Sequence, residues 1–332
     1  MITYKEFSSL VNDLGFSGKA LYSVSNRAHR HFHPVKIPKG NGEFRQLFVP
    51  DDFLKSIQRS INDKLLCMEE ISPYATAYRP GGSTKVNANP HIGKPVLLKL
   101  DIRHFFDHLI YPIVKDKAFP AERYSEQNRV LLSLLCVYMD SLPQGAPTSP
   151  TISNIIMREF DNVVGAWCSD NGIAYTRYCD VMTFSGDFDP RPVIQRVKSE
   201  LKKMGLFLND KKTIVVREGQ KHSVTGIIVN ERLSVPSEYK KQLRQEMYYC
   251  MKFGIQSHLD STERGDSTEK YILTLDQKTP FLLVVTDIVC SNRQLIVRSD
   301  TIVKDLVFTS CLNCFHSYIT YFLFVDIILS TK

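Results

Sequence analysis

The sequence predicts an α+β fold, in which helices and strands follow one another without the regular alternation of a parallel sheet. PVLLKLDI (95–102) is almost continuously apolar, as expected for a strand buried in the centre of a sheet. YTRYCDVMTFSG (175–186) alternates on both sides of a Cys-Asp pair, as two strands joined by a tight turn would. Segments with apolar residues at helical spacing lie before, between and after these strands.

The N-terminal part of the chain predicts a short helical lead-in, a hairpin and a longer helix. Residues 1–25 carry apolar side chains at helical spacing. KIPKGNGEFRQLFVP (36–50) contains two β-rich runs around a Gly-Asn-Gly turn. Either Asp51 or Asp52 can then cap a helix. The predicted apolar face of that helix consists of Leu54, Ile57, Ile61 and Leu65.

The later elements are predicted from turn residues and periodicity. A loop broken by Gly and Pro (78–94) precedes the strand at 95–102. SLPQGAPTSP (141–150) is too rich in Pro and Gly to be helical. The other predicted elements are helices at about 122–138, 152–167, 192–204 and 237–253, and a strand at 222–230.

The C-terminal segment differs in character from the rest of the chain. Beyond about residue 257 a polar stretch gives way to an apolar, β-branched tail. The most apolar part, 318–329, is shorter than the roughly 20 residues that a membrane-spanning helix needs, and it contains Asp326. We therefore expect no transmembrane helix and no membrane partner.

Composition excludes some classes of protein and weakly favours one kind of partner. Apolar residues make up 43% of the chain and charged residues 23%, as in folded globular proteins rather than fibrous or disordered ones. The net charge of +7 fits a nucleic-acid partner, although many unrelated proteins reach it and its basic clusters can equally be solvated helix faces. Eight cysteines without framework spacing, and an N-terminus without a secretory signal, predict a cytoplasmic location.

Two aspartates occupy positions that suit metal-dependent chemistry. Asp101 ends the predicted central strand, and Asp180 lies at the tip of the predicted hairpin. Carboxylates are costly in such apolar surroundings unless they are paired or bind metal. Nucleotidyl transfer by two Mg²⁺ ions needs oxygen ligands from separate backbone elements. Taken alone, the two residues are explained at least as well as solvated loop aspartates.

Three motifs in one order favour the metal-dependent interpretation. LDIRHFF (100–106), LPQGAPTSPTISN (142–154) and YTRYCDV (175–181) resemble the palm motifs of reverse transcriptases. The resemblance implies RNA-templated DNA synthesis and an α+β right-hand polymerase fold whose thumb is divergent or truncated. The implied regions are a helical lead-in at 1–25, fingers at 26–94, a palm with the catalytic motifs at 95–232, and a thumb-like helix followed by an atypical tail at 233–332.

The resemblance also assigns roles to individual residues, including those of two flanking segments, KIPKGNGEFR (36–45) and LNDKKT (208–213). Two Mg²⁺ ions are expected as cofactors. The implied metal ligands are Asp101, Ile102 and Asp180. The implied catalytic residues are Asp101, Asp180 and Lys212, the last as proton donor to the pyrophosphate, with Lys211 as the alternative. The implied contacts to a deoxynucleoside triphosphate are Lys39, Arg45, Phe106, Gln144 and Gly145.

Phe106 stands where the family carries an aromatic steric gate. A flat ring under the sugar would clash with a 2′-hydroxyl and so favour deoxynucleotides. The alternative is that Phe105 and Phe106 simply pack the core, as at least one of them must. Gly145 would allow the backbone to approach the nucleotide closely.

Two shorter segments resemble retron enzymes within the reverse transcriptases. Residues 87–91 (NANPH) match the NAxxH pattern, and residues 224–226 match the VTG pattern. The resemblance implies that the chain binds a structured non-coding RNA as template and primer, and that it serves in phage defence beside an effector protein. The implied RNA-binding residues are Asn87, His91, Val224, Thr225 and Gly226. The structural alternatives are a hydrogen-bonded loop for the first segment and an edge strand with a Gly bulge for the second.

The third palm motif departs from the family pattern at one position. The family has two adjacent carboxylates in this turn, whereas here Asp180 is followed by Val181. Valine cannot ligate a metal ion, and Asp187 and Asp189 lie too far along the second strand to replace the missing group. The alternative function is therefore an inactive relative that only binds structured RNA.

Overall fold

The structure is a computed structural model that describes residues 3–38, 42 and 44–262. The chain divides into two compact units, residues 1–234 and 235–332. The predictions about Lys39 and about the apolar tail at 318–329 fall outside the described residues. Among the helices of the part that is described, none is long and apolar enough to cross a bilayer.

The first unit begins with the predicted helical lead-in and hairpin. The lead-in consists of α1 (Phe7–Leu14) and α2 (Gly18–Ser25). Strands β1 (Phe32–Pro38) and β2 (Phe44–Pro50) then pair antiparallel. Both predictions are confirmed.

Helix α3 (Asp52–Lys64) follows the hairpin directly. Of the two candidate caps, Asp51 is the one used, because its carboxylate accepts a hydrogen bond of 2.8 Å from the Leu54 amide. The same carboxylate lies 2.7 Å from Nδ1 of His31. All four residues of the predicted apolar face are fully buried.

The centre of the unit surrounds the predicted buried strand. The elements here are α4 (Thr84–Ala88), β3 (Val96–Asp101), α5 (Phe105–His108), α6 (Tyr111–Ala118) and α7 (Glu126–Cys136). Helix α4 lies in a segment that was predicted to be a loop. It forms because the Ser83 hydroxyl caps it by accepting a hydrogen bond of 3.1 Å from the Val86 amide.

The following elements complete the sheet. They are α8 (Ser149–Asp170), β4 (Ala174–Tyr178), β5 (Val181–Gly186), α9 (Pro190–Lys203) and β6 (Ile214–Val216). The strand order is β4-β5-β3-β6, with every neighbouring pair antiparallel. The predicted hairpin and the helices on both sides of it are confirmed.

The single strand predicted at 222–230 is wrong. The segment forms two short strands, β7 (Ser223–Val224) and β8 (Ile227–Ile228), which pair antiparallel. Thr225 and Gly226 between them have positive φ angles of 46° and 84°. Positive φ at both central residues is the type I′ turn that joins hairpin strands. The VTG segment is therefore a turn rather than an edge strand with a bulge.

The described part of the second unit consists of α10 (Ser237–Phe253) and α11 (Ile255–Ser261). Helix α10 matches the amphipathic helix predicted at 237–253. Gly254, with φ of 82°, separates the two helices because this conformation is accessible to glycine at little cost.

The two faces of the central sheet differ in chemistry. Leu98 and Leu100 point to one face, where they join the main hydrophobic core. Alternation places Lys99 and Asp101 on the opposite face. Their cross-strand partners on β5 are Thr183 and Val181. We call this side the Asp101 face, defined by Lys99, Asp101, Val181 and Thr183.

Candidate active site

The end of the central sheet brings the two predicted carboxylates together. Asp101 is the last residue of β3 and is paired with Val181, the first residue of β5. The Ile102 amide donates a hydrogen bond of 3.0 Å to the Asp180 carbonyl. This bond makes Asp101 and Val181 a non-hydrogen-bonded pair, the type in which facing Cα atoms are only about 4.5 Å apart.

The turn that carries Asp180 has an unusual backbone conformation. Cys179 has a φ of 59° although it is not glycine. A left-handed conformation at a residue with a Cβ costs on the order of 1 kcal/mol and persists only where its surroundings fix it. The turn must therefore be fixed by specific contacts to its backbone.

A buried arginine supplies such a contact. Nη1 of Arg177 donates a hydrogen bond of 2.9 Å to the Cys179 carbonyl. The rest of the guanidinium forms an ion pair with Asp161 on α8, at 2.6 Å from Nη2 to Oδ2, and a hydrogen bond of 3.1 Å to Oδ1 of Asn154. Arg177 and Asp161 are both fully buried. Burial alone would lower the pKa of Arg177, but the neighbouring carboxylate of Asp161 outweighs burial and raises it, so the guanidinium keeps its charge.

The site holds more negative charge than its own lysine neutralises. Nζ of Lys212 lies 2.9 Å from Oδ2 of Asp101, and Nδ2 of Asn209 donates a hydrogen bond of 3.3 Å to Oδ1 of Asp101. Burial, together with the nearby charge of Asp101, raises the pKa of Asp180, while Lys212 offsets part of this effect. A bound cation would relieve this repulsion.

The donor atoms suit a hard divalent cation but are few. Asp101 and Asp180 offer carboxylate oxygens and Ile102 a backbone carbonyl, and oxygen ligands of this kind are those that Mg²⁺ prefers. In residues 3–38, 42 and 44–262, no group of three or more His, Cys, Asp or Glu side chains is arranged to hold a metal ion. The third carboxylate is missing because Val181 occupies the position opposite Asp101. Asp189 does not replace it, since it caps α9 and pairs with Arg191.

The segment around Gln144 packs against the hairpin β1–β2. The Phe48 amide of β2 donates a hydrogen bond of 3.1 Å to the Gln144 carbonyl. Gly145 has a φ of 122°, and a Cβ there would lie 3.1 Å from both the Phe48 carbonyl oxygen and Cγ2 of Val49. The glycine is therefore required for this close approach of two backbones. Arg45, another predicted nucleotide contact, is exposed on β2.

The two candidate gate residues have different environments. Phe105 is buried in the main core, whereas Phe106 is half-buried and packs against the core edge-to-face with Phe105, 5.3 Å between ring centroids. Phe105 is thus a core residue, and Phe106 lies at the edge of the core. Phe106 is partly exposed and lies five residues beyond Asp101. Its role as a steric gate stays a prediction.

The two segments that resemble retron motifs are joined to each other and to the sheet. Nδ2 of Asn87 donates a hydrogen bond of 3.3 Å to Oγ1 of Thr225. His91 is hydrogen-bonded through Nδ1 to Ser185 at 2.7 Å and through Nε2 to Thr176 at 2.8 Å. These contacts fix the VTG turn and the NAxxH segment on the side of the sheet that carries Asp101.

Most of the predicted RNA-binding side chains face inward. Asn87, His91 and Val224 are buried. Thr225 is partly exposed, and Gly226 is exposed. RNA binding stays a prediction for all five residues, and the exposed turn is the part that a ligand can reach directly.

The buried histidine predicts a pH dependence of stability. Burial lowers the pKa of His91 from 6.5 to about 4. Below pH 6.5 the unfolded chain therefore takes up a proton that the folded chain does not. We expect the free energy of unfolding to fall by about 1.4 kcal/mol per pH unit from pH 6.5 toward pH 4, and His91 to contribute no pH dependence above that range. Denaturant unfolding between pH 4 and 8 measures this slope.

His91→Gln is the control, because its amide can still hydrogen-bond to the hydroxyls but does not titrate in this range. The variant should lose this part of the slope between pH 6.5 and 4. An unchanged slope would show that other groups cause the acid sensitivity.

The sequence alone did not identify the residues that hold the turn before Asp180. Arg177, Asp161 and Asn154 were not predicted. The available signal was Asp161, a charged residue between Met157 and Val164 on the apolar face of α8, where a buried carboxylate needs a cationic partner. Asn209 was likewise missed, although it belongs to the LNDKKT segment.

Comparison with known proteins identifies the family. Residues 37–229, more than half of the chain, match the family model described as "Reverse transcriptase (RNA-dependent DNA polymerase)". The chain is 32% identical over 256 residues to the Retron Ec83 reverse transcriptase of Escherichia coli, covering 71% of this chain and 81% of that one. It is also 32% identical over 241 residues to the Retron Mx65 reverse transcriptase of Myxococcus xanthus, covering 66% of this chain.

The lengths of these proteins differ from that of the chain. The match spans only 56% of the Mx65 enzyme. Among solved structures, telomerase from Candida albicans is similar with a TM-score of 0.43 and 11% identity, covering 82% of this chain and 65% of that one. The mixed order of helices and strands and the family match confirm the expected right-hand polymerase fold, and the chain belongs to the bacterial retron-type reverse transcriptases.

Proposed function

We propose that the chain is an RNA-directed DNA polymerase that copies a structured non-coding RNA. The observation that carries the proposal is the meeting of Asp101 and Asp180 at the end of the sheet, with Lys212 beside them. The pKa of Asp180 is raised by burial and by the like charge of Asp101, a combination typical of sites where carboxylates share a cation or a proton. In this reaction a primer hydroxyl attacks the α-phosphate of a deoxynucleotide, and pyrophosphate leaves.

Two Mg²⁺ ions are the cofactor we propose. Asp101, Asp180 and the Ile102 carbonyl would hold them, with one carboxylate fewer than the family pattern. When bound, Mg²⁺ supplies charge stabilisation at the α-phosphate and lowers the pKa of the attacking hydroxyl.

The chain's own groups would bind and orient the nucleotide. Lys39 and Arg45 are placed by the family resemblance to bind the triphosphate, Arg45 with two parallel hydrogen bonds. Gln144 and Gly145 lie on the loop held against β2. Lys212, whose Nζ lies 2.9 Å from Oδ2 of Asp101, would give a proton to the departing pyrophosphate.

The proposed partners and location follow from the relatives. The template and primer would be one structured RNA, with priming from a 2′-hydroxyl within it. We also propose that the chain acts with an effector protein in phage defence and that it is located in the cytoplasm. Of these proposals, the net charge of +7 supports only the nucleic-acid partner.

Primer extension tests the proposed reaction. Purified full-length protein is incubated with a primed RNA template, deoxynucleoside triphosphates and Mg²⁺. We expect slow formation of a DNA product, no product with Asp101→Asn, and an unchanged rate with Asp187→Asn, an exposed aspartate on the same hairpin segment. A product that survives Asp101→Asn would contradict the assignment of the active site.

The second candidate function is RNA binding without catalysis. Val181 favours it, because it removes a metal ligand from the third motif. This alternative predicts tight binding of structured RNA, no product from the native chain, and product once a carboxylate is restored at position 181.

The gate residue predicts selectivity between sugars. Phe106→Val should increase incorporation of ribonucleotides relative to deoxynucleotides by roughly 10-fold, since removing the ring relieves a clash with the 2′-hydroxyl, and differences of this kind amount to about 1–3 kcal/mol. Single-nucleotide incorporation of UTP against dTTP measures the ratio.

Phe105→Leu is the matched control for that measurement, because Phe105 is buried in the core. It should lower stability and leave the ratio unchanged. A ratio that shifts equally in both variants would mean that general loosening, and not a gate, controls sugar selection.

A further inference from the structure

Lys99 occupies an unusual place on the Asp101 face. In the register of the sheet it lies between Thr183 of β5 and Ile214 of β6. Alternation along β3 puts Leu97, Lys99 and Asp101 on one side. Leu97 is fully buried, so Lys99 lies where this side of the sheet changes from covered core to the open site.

Within the described part of the chain, no counter-ion pairs with this lysine. Thr183 is buried and uncharged, and Ile214 is an apolar side chain that is 47% exposed. Among residues 3–38, 42 and 44–262, none forms a hydrogen bond or an ion pair with the Lys99 ammonium group. Lys99 is half-buried, and keeping a charge half-buried without a partner costs free energy relative to full exposure.

The neighbouring carboxylate does not serve as that partner. The Asp101 carboxylate already accepts contacts from Lys212 and Asn209. A lysine can also lie along apolar surface merely to cover it with its stem. That explanation accounts for the Lys99 stem beside Ile214, but a methionine would cover the same surface without the cost of the charge.

An anion from a bound ligand would remove the cost. Residues two apart in a strand are separated by about 6.7 Å, and successive phosphates of a nucleic-acid strand advance about 3.4 Å along the duplex axis. If the primer terminus lies at Asp101 and the primer strand runs along β3, a group above Lys99 would be about two nucleotides behind the terminus. We infer that Lys99 binds a phosphodiester of the primer strand close to its 3′ end. The inference rests on the proposed polymerase function and adds a contact to the product strand.

Salt dependence of binding tests the inference. Equilibrium binding of a fluorescent DNA primer annealed to an RNA template is measured over a range of KCl concentrations, without nucleotides. We expect Lys99→Met to bind more weakly and to reduce the slope of log K against log salt by about 1, as loss of one phosphate contact does. Lys99→Arg should restore the slope, because it restores the charge.

Lys19→Met is the matched control, since Lys19 is an exposed lysine on α2 and its loss changes net charge equally. It should leave the slope unchanged. A Lys99→Met slope equal to that of the native chain, with the variant shown to be folded by its melting temperature, would overturn the inference. Failure of the native chain to bind primer–template at all would instead contradict the proposed function, and the phosphate contact with it.

Discussion

Replacing Arg177 with methionine is expected to lower the free energy of unfolding by about 3–5 kcal/mol, because the carboxylate of Asp161 would stay buried without its counter-ion. The variant also loses the hydrogen bond from Arg177 to the Cys179 carbonyl, which holds the left-handed turn before Asp180. Denaturant unfolding followed by the fluorescence of Trp167, the single tryptophan, measures the change on the helix that carries Asp161.

A double-mutant cycle separates the ion pair from simple loss of packing. In Arg177→Met with Asp161→Leu, no buried charge is left unpaired, so a large part of the lost stability should return. Recovery will be incomplete, because Tyr175 and Asn154 lose hydrogen-bond partners. If the single replacement costs less than about 1 kcal/mol, the pair does not hold the turn.

The same double-mutant cycle also tests whether the turn that carries Asp180 contributes to activity. The recovered double variant lacks the contact to the Cys179 carbonyl while remaining stable. We expect it to need a higher Mg²⁺ concentration for half-maximal primer extension, because Asp180 is no longer fixed relative to Asp101. If Arg177 only stabilised α8 and did not fix the turn, the Mg²⁺ requirement would be unchanged.

Much of the fold was predictable because periodicity fixes which residues a strand or helix buries. The position of Asp101 followed from the end of one apolar run, and that of Asp180 from the turn inside an alternating one. Pairing of β3 with β5 brings the two residues together, and the pattern of apolar residues does not predict which strands pair.

The wrong predictions of secondary structure lie where local backbone conformation or capping overrides the pattern of apolar residues. A β-branched residue such as Thr225 rarely adopts a positive φ, and the alternating residues around it therefore predict one continuous strand. In the structure Thr225 does adopt a positive φ and turns the chain. Helix α4 is only one turn long and depends on the Ser83 cap within a segment rich in Gly and Pro. Alternation along β3 places Lys99 on the same face as Asp101, but only the register of the sheet shows that its neighbours on the adjacent strands are Thr183 and Ile214.

Val181→Asp is the change we expect to alter catalysis most. Residue 181 faces Asp101 in a non-hydrogen-bonded pair, the type in which cross-strand neighbours lie closest together. The new carboxylate would therefore lie beside those of Asp101 and Asp180. A third oxygen ligand should raise the rate of nucleotide addition on the order of 100-fold, equivalent to about 2.7 kcal/mol of transition-state stabilisation. Single-turnover incorporation at saturating Mg²⁺ measures it.

A second measurement on Val181→Asp does not depend on catalysis. Without metal the added charge increases the repulsion that already raises the pKa of Asp180, so the variant should melt at a lower temperature than the native chain. Mg²⁺ should raise its melting temperature more than that of the native chain, because a ligand that binds only the folded state stabilises it. Val181→Asn, similar in size but uncharged, should show neither effect. Mg²⁺ stabilisation without any gain in rate would mean that the metal site is restored and that the defect in synthesis lies outside it.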